Sequence, residues 1–105
     1  MGSKNKLKRF KENEIFPNVI QPELYDVQKD SFFLKGKWRS DFFKNNQPIV
    51  LELGCGKGEY TLHLAEQNPN RNYIGIDIKG ARLWRGAKTA REKGLKNTAF
   101  LRIQI

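Results

Sequence analysis

The sequence has little of what builds covalent or metal cross-links: one cysteine and one histidine among 105 residues. A single cysteine excludes an internal disulfide, and this pair argues against a dedicated zinc site, so we expect no bound metal. No apolar run approaches the roughly 20 residues that a membrane-spanning helix needs. The charged N-terminus is not followed by the apolar segment of a signal peptide. These absences favour a cytoplasmic protein that does not enter a membrane.

Acidic residues are also scarce, since 11 Asp and Glu face 20 Lys and Arg and leave a formal net charge of +9. Such an excess indicates a polyanionic partner, with nucleic acid ahead of an anionic membrane, although simple solubility is the alternative. Positions 1–11 hold five basic residues and no acid, which predicts a disordered or conditionally ordered basic arm. The basic residues of this arm are Lys4, Lys6, Lys8, Arg9 and Lys11.

Beyond the arm, the hydrophobic pattern divides the chain into an irregular lead-in and an ordered α/β region. Residues 12–34 keep no period, and residues 37–45 have the pattern of a short helix. Strands are predicted at 49–53, 73–78 and 99–105, and helices at 59–67 and 80–93. This alternation predicts half of a doubly wound parallel sheet. Because three parallel strands leave too little to cover both faces, we expect the 105 residues to be part of a longer chain.

A glycine-rich loop, G-x-G-x-G, follows the first predicted strand at Gly54, Gly56 and Gly58. Glycine at this density indicates tight turns or close approach of the backbone to a ligand. The spacing differs from the G-x-G-x-x-G of dinucleotide-binding loops, and Glu59 occupies the first turn of the following helix. Together with Glu52 before the loop, this acid would repel a pyrophosphate.

The same acids would attract a cation, which favours S-adenosylmethionine, with its sulfonium and ammonium groups, over a dinucleotide. Asp77 ends the second predicted strand, where an acid accepts hydrogen bonds from ribose hydroxyls. Ile78 follows it and could cover one face of the adenine. The alternative for Glu52 is a solvated residue at a strand end.

The second predicted helix lies in a basic segment, residues 79–96. At about 100° per residue, small and apolar residues such as Leu83 share one narrow arc, while Arg82, Arg85 and Lys88 lie on the other side. Arginine suits phosphate because its planar fork can donate two hydrogen bonds. A merely solvated face is the alternative, but the basic arm favours nucleic acid.

Taken together, these segments resemble the N-terminal half of bacterial tRNA (guanine-N(7)-)-methyltransferases. The resemblance is densest in LELGCGKGEYTLHLAEQNP, NYIGIDIKGARLWRGAKTA and GLKNTAFLRIQI, and it includes the basic KNKLKRF start. It implies a Rossmann-like fold and transfer of a methyl group from S-adenosylmethionine to N7 of a guanine in the tRNA variable loop. It also implies that residues 35–105 are the first half of the methyltransferase domain, preceded by an arm and lead-in at 1–34.

Site residues follow from the resemblance position by position. Glu52 and Asp77 match the first two cofactor-binding acids of the family. A third acid usually stands near the end of the third strand, where this chain has Gln104, whose amide oxygen could still accept from an adenine amino group. Catalytic residues are expected beyond Ile105, so the 105 residues alone should be inactive.

Two other functions remain open from the sequence. One is an S-adenosylmethionine-dependent methyltransferase for another substrate, for which the basic segments would be incidental. The other is a non-catalytic RNA-binding protein with a vestigial cofactor fold, whose RNA affinity would not depend on S-adenosylmethionine.

Overall fold

The computed structural model describes residues 3–29 and 32–104 as an α/β structure around one parallel sheet. In chain order it contains helix α1 (Ser3–Ile15), strand β1 (Val19–Ile20), helix α2 (Leu24–Gln28), a π-helical segment (Trp38–Phe43), strand β2 (Ile49–Leu53), helix α3 (Glu59–Gln67), strand β3 (Asn72–Asp77), helix α4 (Gly80–Glu92) and strand β4 (Thr98–Arg102). The strand order is β1-β4-β3-β2, so β2 lies at one outer edge. In the described ranges, no helix has both the length and the hydrophobicity to cross a bilayer.

The predicted α/β architecture is confirmed, with small shifts of the element ends. Strand β2 and helix α3, which flank the glycine loop and form the glycine-loop unit with it, have the predicted bounds. The ends of the other predicted elements differ by one to three residues. In the register, Leu53 pairs with Ile76 and Asp77 pairs with Arg102. Because all pairs are parallel, the carboxyl ends of β2, β3 and β4 meet at one edge of the sheet, where open α/β folds bind ligands.

The prediction of an irregular lead-in over 12–34 is wrong at helix α2 and at β1, and β1 adds a fourth strand to the sheet. Val19 pairs with Phe100 and Ile20 with Leu101. The neighbouring Asn18 accepts from the Phe100 amide with its carbonyl (2.8 Å) and donates from Nδ2 to the carbonyl of Ala87 (3.0 Å). A two-residue strand is too short to show alternation in the sequence, so only this long-range pairing reveals it.

Of the two alternatives predicted for the arm, disordered or conditionally ordered, the structure contradicts disorder, because α1 is a 13-residue helix that lies against α4. Asn13 is 1% exposed and donates from Nδ2 to the Gly80 carbonyl at 2.8 Å. The Arg9 guanidinium lies 4.5 Å from the centre of the Trp84 ring. The basic composition of this segment suggested disorder, but its polar and aromatic anchors bind a helix that lies far away along the chain. Residues 1 and 2 of the predicted arm lie outside the described residues.

The two faces of the sheet are covered differently. On one face α3 and α4 pack over the fully buried Phe100 of β4, and Leu83 of α4 is fully buried in the same cluster. On the other face, Ile74, Ile76 and Leu101 pack against an aromatic group that includes residues of the π-helical segment. That segment occupies the position of the predicted short helix over 37–45, and Trp38 and Phe42 lie with their ring centres 5.7 Å apart.

Candidate functional site

Glu52 projects from the end of β2, where Gly75 is its partner across the strands. The Thr61 hydroxyl, which is 1% exposed in α3, donates a hydrogen bond to Glu52 Oε1. No described residue donates to the second carboxylate oxygen. Glu52 is therefore held by one oxygen and can offer the other to a cationic ligand.

The glycine loop separates into a ligand-facing part and a packing part. Gly54, Gly56 and Gly58 all have positive φ values, at 73°, 57° and 71°. A Cβ added to Gly54 or Gly56 would meet nothing within 4 Å, whereas a Cβ on Gly58 would lie 2.6 Å from the Phe100 ring. The first two glycines thus shape an open backbone surface, and Gly58 faces the core rather than a ligand.

Asp77 holds this loop in place. Its Oδ2 accepts from the Gly56 amide at 2.9 Å, and its Oδ1 accepts from the Lys79 amide at 3.0 Å. Desolvation acts to raise the pKa of Asp77, but backbone hydrogen bonds and the Arg82 charge outweigh it and lower the pKa below its ordinary value. The carboxylate therefore stays ionised near neutral pH, with lone pairs left on both oxygens.

The two remaining predicted cofactor residues lie at the same edge of the sheet. The Ile78 side chain is 49% exposed directly after β3, although it is apolar. Gln104 is exposed two residues after β4, and the Ile103 amide donates to the Asp77 carbonyl at 3.2 Å. The structure thus brings the predicted carboxylates and the glycine loop together. In the described part of the chain, Gln104 forms no side-chain hydrogen bond with the carboxylates or the glycine loop.

An open groove of about 500 Å³ runs between these elements. Its lining includes Glu52, Cys55, Lys57, Glu59, Tyr60 and Arg82. Arg82 was predicted to bind RNA, and Tyr60, which is 61% exposed, was not among the predicted site residues. Thr61 was missed as well, because its role appears only when the first turn of α3 lies beside Glu52.

The described residues contain no group of His, Cys, Asp or Glu side chains arranged to hold a metal ion.

Cys55 lies in the groove wall without the properties of a nucleophile. Desolvation raises the pKa of its thiol to about 12, with smaller contributions from the negative charges of Asp77 and Glu52. A Cβ on Gly75 would lie 2.9 Å from the sulfur, so the thiol fills a space that depends on this glycine. Cys55 is therefore a packing residue of the loop.

We expect Cys55 to resist alkylation in the folded protein, because a pKa near 12 leaves very little thiolate at pH 8. Iodoacetamide should label it at least on the order of a hundredfold more slowly than it labels the same thiol in urea. Mass spectrometry over a time course measures both rates. Comparable rates in the folded and unfolded protein would contradict the packing role.

Predicted RNA-binding residues from α1 and α4 meet around one tryptophan ring. Lys6, Lys8 and Lys11 are exposed on α1, and the side chain of Lys4 lies outside the described residues. Arg85 and Lys88 of α4 lie 4.7 and 4.9 Å from the Trp84 ring centre, and Arg9 of α1 lies against the same ring. Trp84 is 6% exposed, so it packs between the helices and brings their cations together.

Known proteins with similar sequences are methyltransferases. Residues 46–105 match a family described as "Putative methyltransferase". The chain is 70% identical over all its 105 residues to a tRNA (guanine-N(7)-)-methyltransferase of Christiangramia forsetii, and it spans 47% of that protein. It is 50% identical over 102 residues to the protein of the same name from Bacteroides fragilis, covering 97% of this chain and 40% of that one. The chain therefore spans about half the length of these curated relatives.

Part of this chain also has the same fold as parts of solved structures. PKMT2 from Rickettsia typhi, in complex with AdoHcy, matches 60% of this chain and 13% of its own, with a TM-score of 0.51 and 28% identity. An antibiotic related methyltransferase matches 64% of this chain and 35% of its own, with a TM-score of 0.56 and 27% identity. The matched parts are methyltransferase folds.

Proposed function

Because the chain belongs to the methyltransferase family that its residues 46–105 match, we propose that the protein methylates tRNA at N7 of a variable-loop guanine. The 70% identity with the Christiangramia forsetii tRNA (guanine-N(7)-)-methyltransferase supports this substrate. Residues 35–105 would form the first half of the catalytic domain, and residues 1–34 would add to it. The protein would act in the cytoplasm, where tRNA is modified.

The groove fits S-adenosylmethionine better than a dinucleotide. Glu52 and Asp77 place two carboxylates beside a loop with no phosphate-binding pattern, and Gly54 and Gly56 leave the backbone open to a ligand. A pyrophosphate would meet these acids unfavourably, whereas a sulfonium and an ammonium group would be attracted. AdoHcy, bound in the Rickettsia typhi structure, is what S-adenosylmethionine becomes when its methyl group is lost. When bound, S-adenosylmethionine supplies an electrophilic methyl group.

Four predicted cofactor side chains then have a role in or beside this groove, which Glu52 and Gly56 line. Glu52, fixed by Thr61, would accept from the ammonium group with its free oxygen. Asp77 would accept from the ribose hydroxyls while keeping its bond to the Gly56 amide. Ile78 would cover an adenine face, and Gln104 would accept from the adenine amino group.

Methyl transfer to guanine N7 does not require these residues to act as acids or bases. Guanine N7 carries a lone pair and no proton, so its attack on a methyl group needs no strong general base. In-line positioning of the two reactants supplies most of the rate. Catalytic residues are therefore expected among groups that orient the base, in the part of the relatives' length that this chain does not cover.

The position of the Glu52 and Asp77 carboxylates beside the glycine loop carries the proposal, and a direct assay tests it. Full-length protein is incubated with S-adenosylmethionine and tRNA carrying guanine or 7-deazaguanine in the variable loop, and methylated nucleosides are identified by mass spectrometry. We expect 7-methylguanosine only from the guanine substrate. Methyl transfer to the deaza substrate would place the reaction at another atom. No transfer to tRNA would favour the other substrates or the non-catalytic alternative.

The basic surface formed by Lys6, Lys8, Arg9, Lys11, Arg82, Arg85 and Lys88 would bind the tRNA backbone, and the contact predicted for Lys4 from the sequence stays a prediction. We expect Lys8→Gln with Lys11→Gln to reduce the log–log salt slope of tRNA binding by roughly 0.7 to 0.9 for each phosphate that is no longer bound. Glutamine keeps the packing of α1, which a deletion would remove along with its interactions with α4. Filter binding at several salt concentrations measures the slope, and an unchanged slope would exclude these two lysines from the interface.

A further inference from the structure

A second cavity, of about 410 Å³, lies between α1 and the N-terminal end of α4, beside the groove. It joins parts of the chain that are far apart in sequence. The side chains that matter for its chemistry are Lys6, Phe10, Ile78, Lys79, Arg82 and Arg102. Lys6 and Arg82 also belong to the basic surface proposed above, and Ile78 is the residue proposed to cover the adenine, but no role above makes the cavity itself a binding site.

The cavity is strongly positive, because four of its lining residues are cations and none is an acid. Arg102 donates to neutral acceptors, from Nε to the Ile78 carbonyl at 2.9 Å and from Nη1 to Gln21 Oε1 at 3.1 Å. Within residues 3–29 and 32–104, Lys6, Lys79 and Arg82 form no ion pair with a carboxylate. The charges of Lys6 and Lys79 therefore remain available to an anion, while the charge of Arg82 also acts on Asp77.

The same cavity offers flat apolar surface next to the cations. The Arg102 guanidinium lies 5.5 Å from the centre of the Phe10 ring, and the half-exposed Ile78 lines the cavity as well. RNA-binding proteins combine phosphate contacts with aromatic rings and guanidinium planes against which bases stack. Cations beside apolar surface fit a nucleotide better than an isolated inorganic anion.

The position of the cavity connects it to the groove. Arg82 lines both, and the backbone amide of Lys79 is bound by Asp77. S-Adenosylmethionine has no phosphate, and its sulfonium, ammonium and carboxylate groups leave a net positive charge. Four cations without an acid would repel this charge, whereas the groove places Glu52 and Glu59 beside Arg82. The occupant is therefore expected to be RNA rather than the cofactor.

We propose that this cavity binds a backbone phosphate and the adjoining nucleotide of the RNA substrate, so that α1 forms part of the substrate site. This inference rests on the proposed function. It makes α1 a wall of a defined site, with Lys6 and Lys79 as phosphate ligands from opposite sides.

Two charge-matched double variants of the full-length protein test the cavity. Lys6→Gln with Lys79→Gln removes two cavity cations, while Lys29→Gln with Lys96→Gln removes two exposed lysines elsewhere. We expect the first pair to weaken tRNA binding about tenfold or more, and to reduce the salt slope by roughly 0.7 for each phosphate that is released. The control pair should change affinity less than twofold. Lys6→Arg with Lys79→Arg should keep the wild-type slope.

The outcomes separate this inference from the proposed function. Equal decreases in affinity for the two glutamine pairs would overturn the cavity assignment, since only overall charge would matter. Weaker S-adenosylmethionine binding by calorimetry in the Lys6→Gln, Lys79→Gln variant would overturn it too, by placing the cavity in the cofactor site. A wild-type protein that binds tRNA through these lysines without methylating it would overturn the proposed function while supporting the cavity.

Discussion

Asp77→Asn is expected to weaken the affinity of the full-length protein for S-adenosylmethionine by about ten- to a hundredfold. Both oxygens of Asp77 accept backbone hydrogen bonds, from the Gly56 and Lys79 amides. The asparagine amino group cannot accept, so one of these N–H groups would face another donor and the loop would lose an anchor. Hydrogen bonds to a charged group contribute about 1.5–3 kcal/mol, and the ribose would also lose an acceptor. Titration calorimetry measures the affinity.

Asp41→Asn is the matched control, because Asp41 is an exposed carboxylate in the π-helical segment that accepts from the Ser40 hydroxyl. It should leave cofactor affinity unchanged. An Asp77→Asn variant that unfolds at the wild-type temperature and binds with wild-type affinity would reject the ribose role. If Asp77→Asn loses both affinity and folding, the Asp77→Glu variant separates the two roles. It keeps the charge and should recover part of the cofactor binding.

Gly58→Ala is expected to lower the free energy of unfolding by about 2–5 kcal/mol. Two costs add together: an alanine in the left-handed region costs roughly 1–2 kcal/mol, and overpacking a tight core costs about 1–3 kcal/mol. The second cost arises because the new methyl group would lie 2.6 Å from the ring of Phe100, which is fully buried. Urea unfolding of the full-length protein measures the change.

Gly94→Ala separates the two costs. Gly94 has a φ of 67°, close to the 71° of Gly58, but a Cβ there would meet nothing within 4 Å. It should therefore show only the backbone cost, of roughly 1–2 kcal/mol. Equal destabilisation by the two substitutions would mean that the Phe100 ring moves aside freely, against the packing described for this loop.

The glycine-loop unit could be predicted from the sequence because its signals are local. The strand and helix around Gly54–Gly58 have the expected bounds, and parallel strands necessarily bring Glu52 and Asp77 to one edge. Cofactor binding by these residues stays a prediction. The different task of Gly58 was not predicted, because its environment depends on Phe100, more than 40 residues away along the chain.

Features made by long-range contacts could not be predicted from local sequence patterns. β1 has two residues and is recognisable only through its pairing with Phe100 and Leu101. The order of α1 depends on Trp84 and Gly80, which the composition of the basic arm does not reveal. Arg102 belonged to a predicted strand, and its side-chain bonds to Ile78 and Gln21 require the folded arrangement.

When residues 1–105 are produced by themselves, the outer position of β2 has a consequence for their colloidal behaviour. Leu51 and Leu53 are 55% and 62% exposed on a strand that pairs only with β3 in the described sheet. An apolar edge strand of this kind is a template for edge-to-edge aggregation. Mutual repulsion from the net charge of +9 would oppose that association. Salt screens this repulsion without covering the edge, so high ionic strength would promote self-association of residues 1–105.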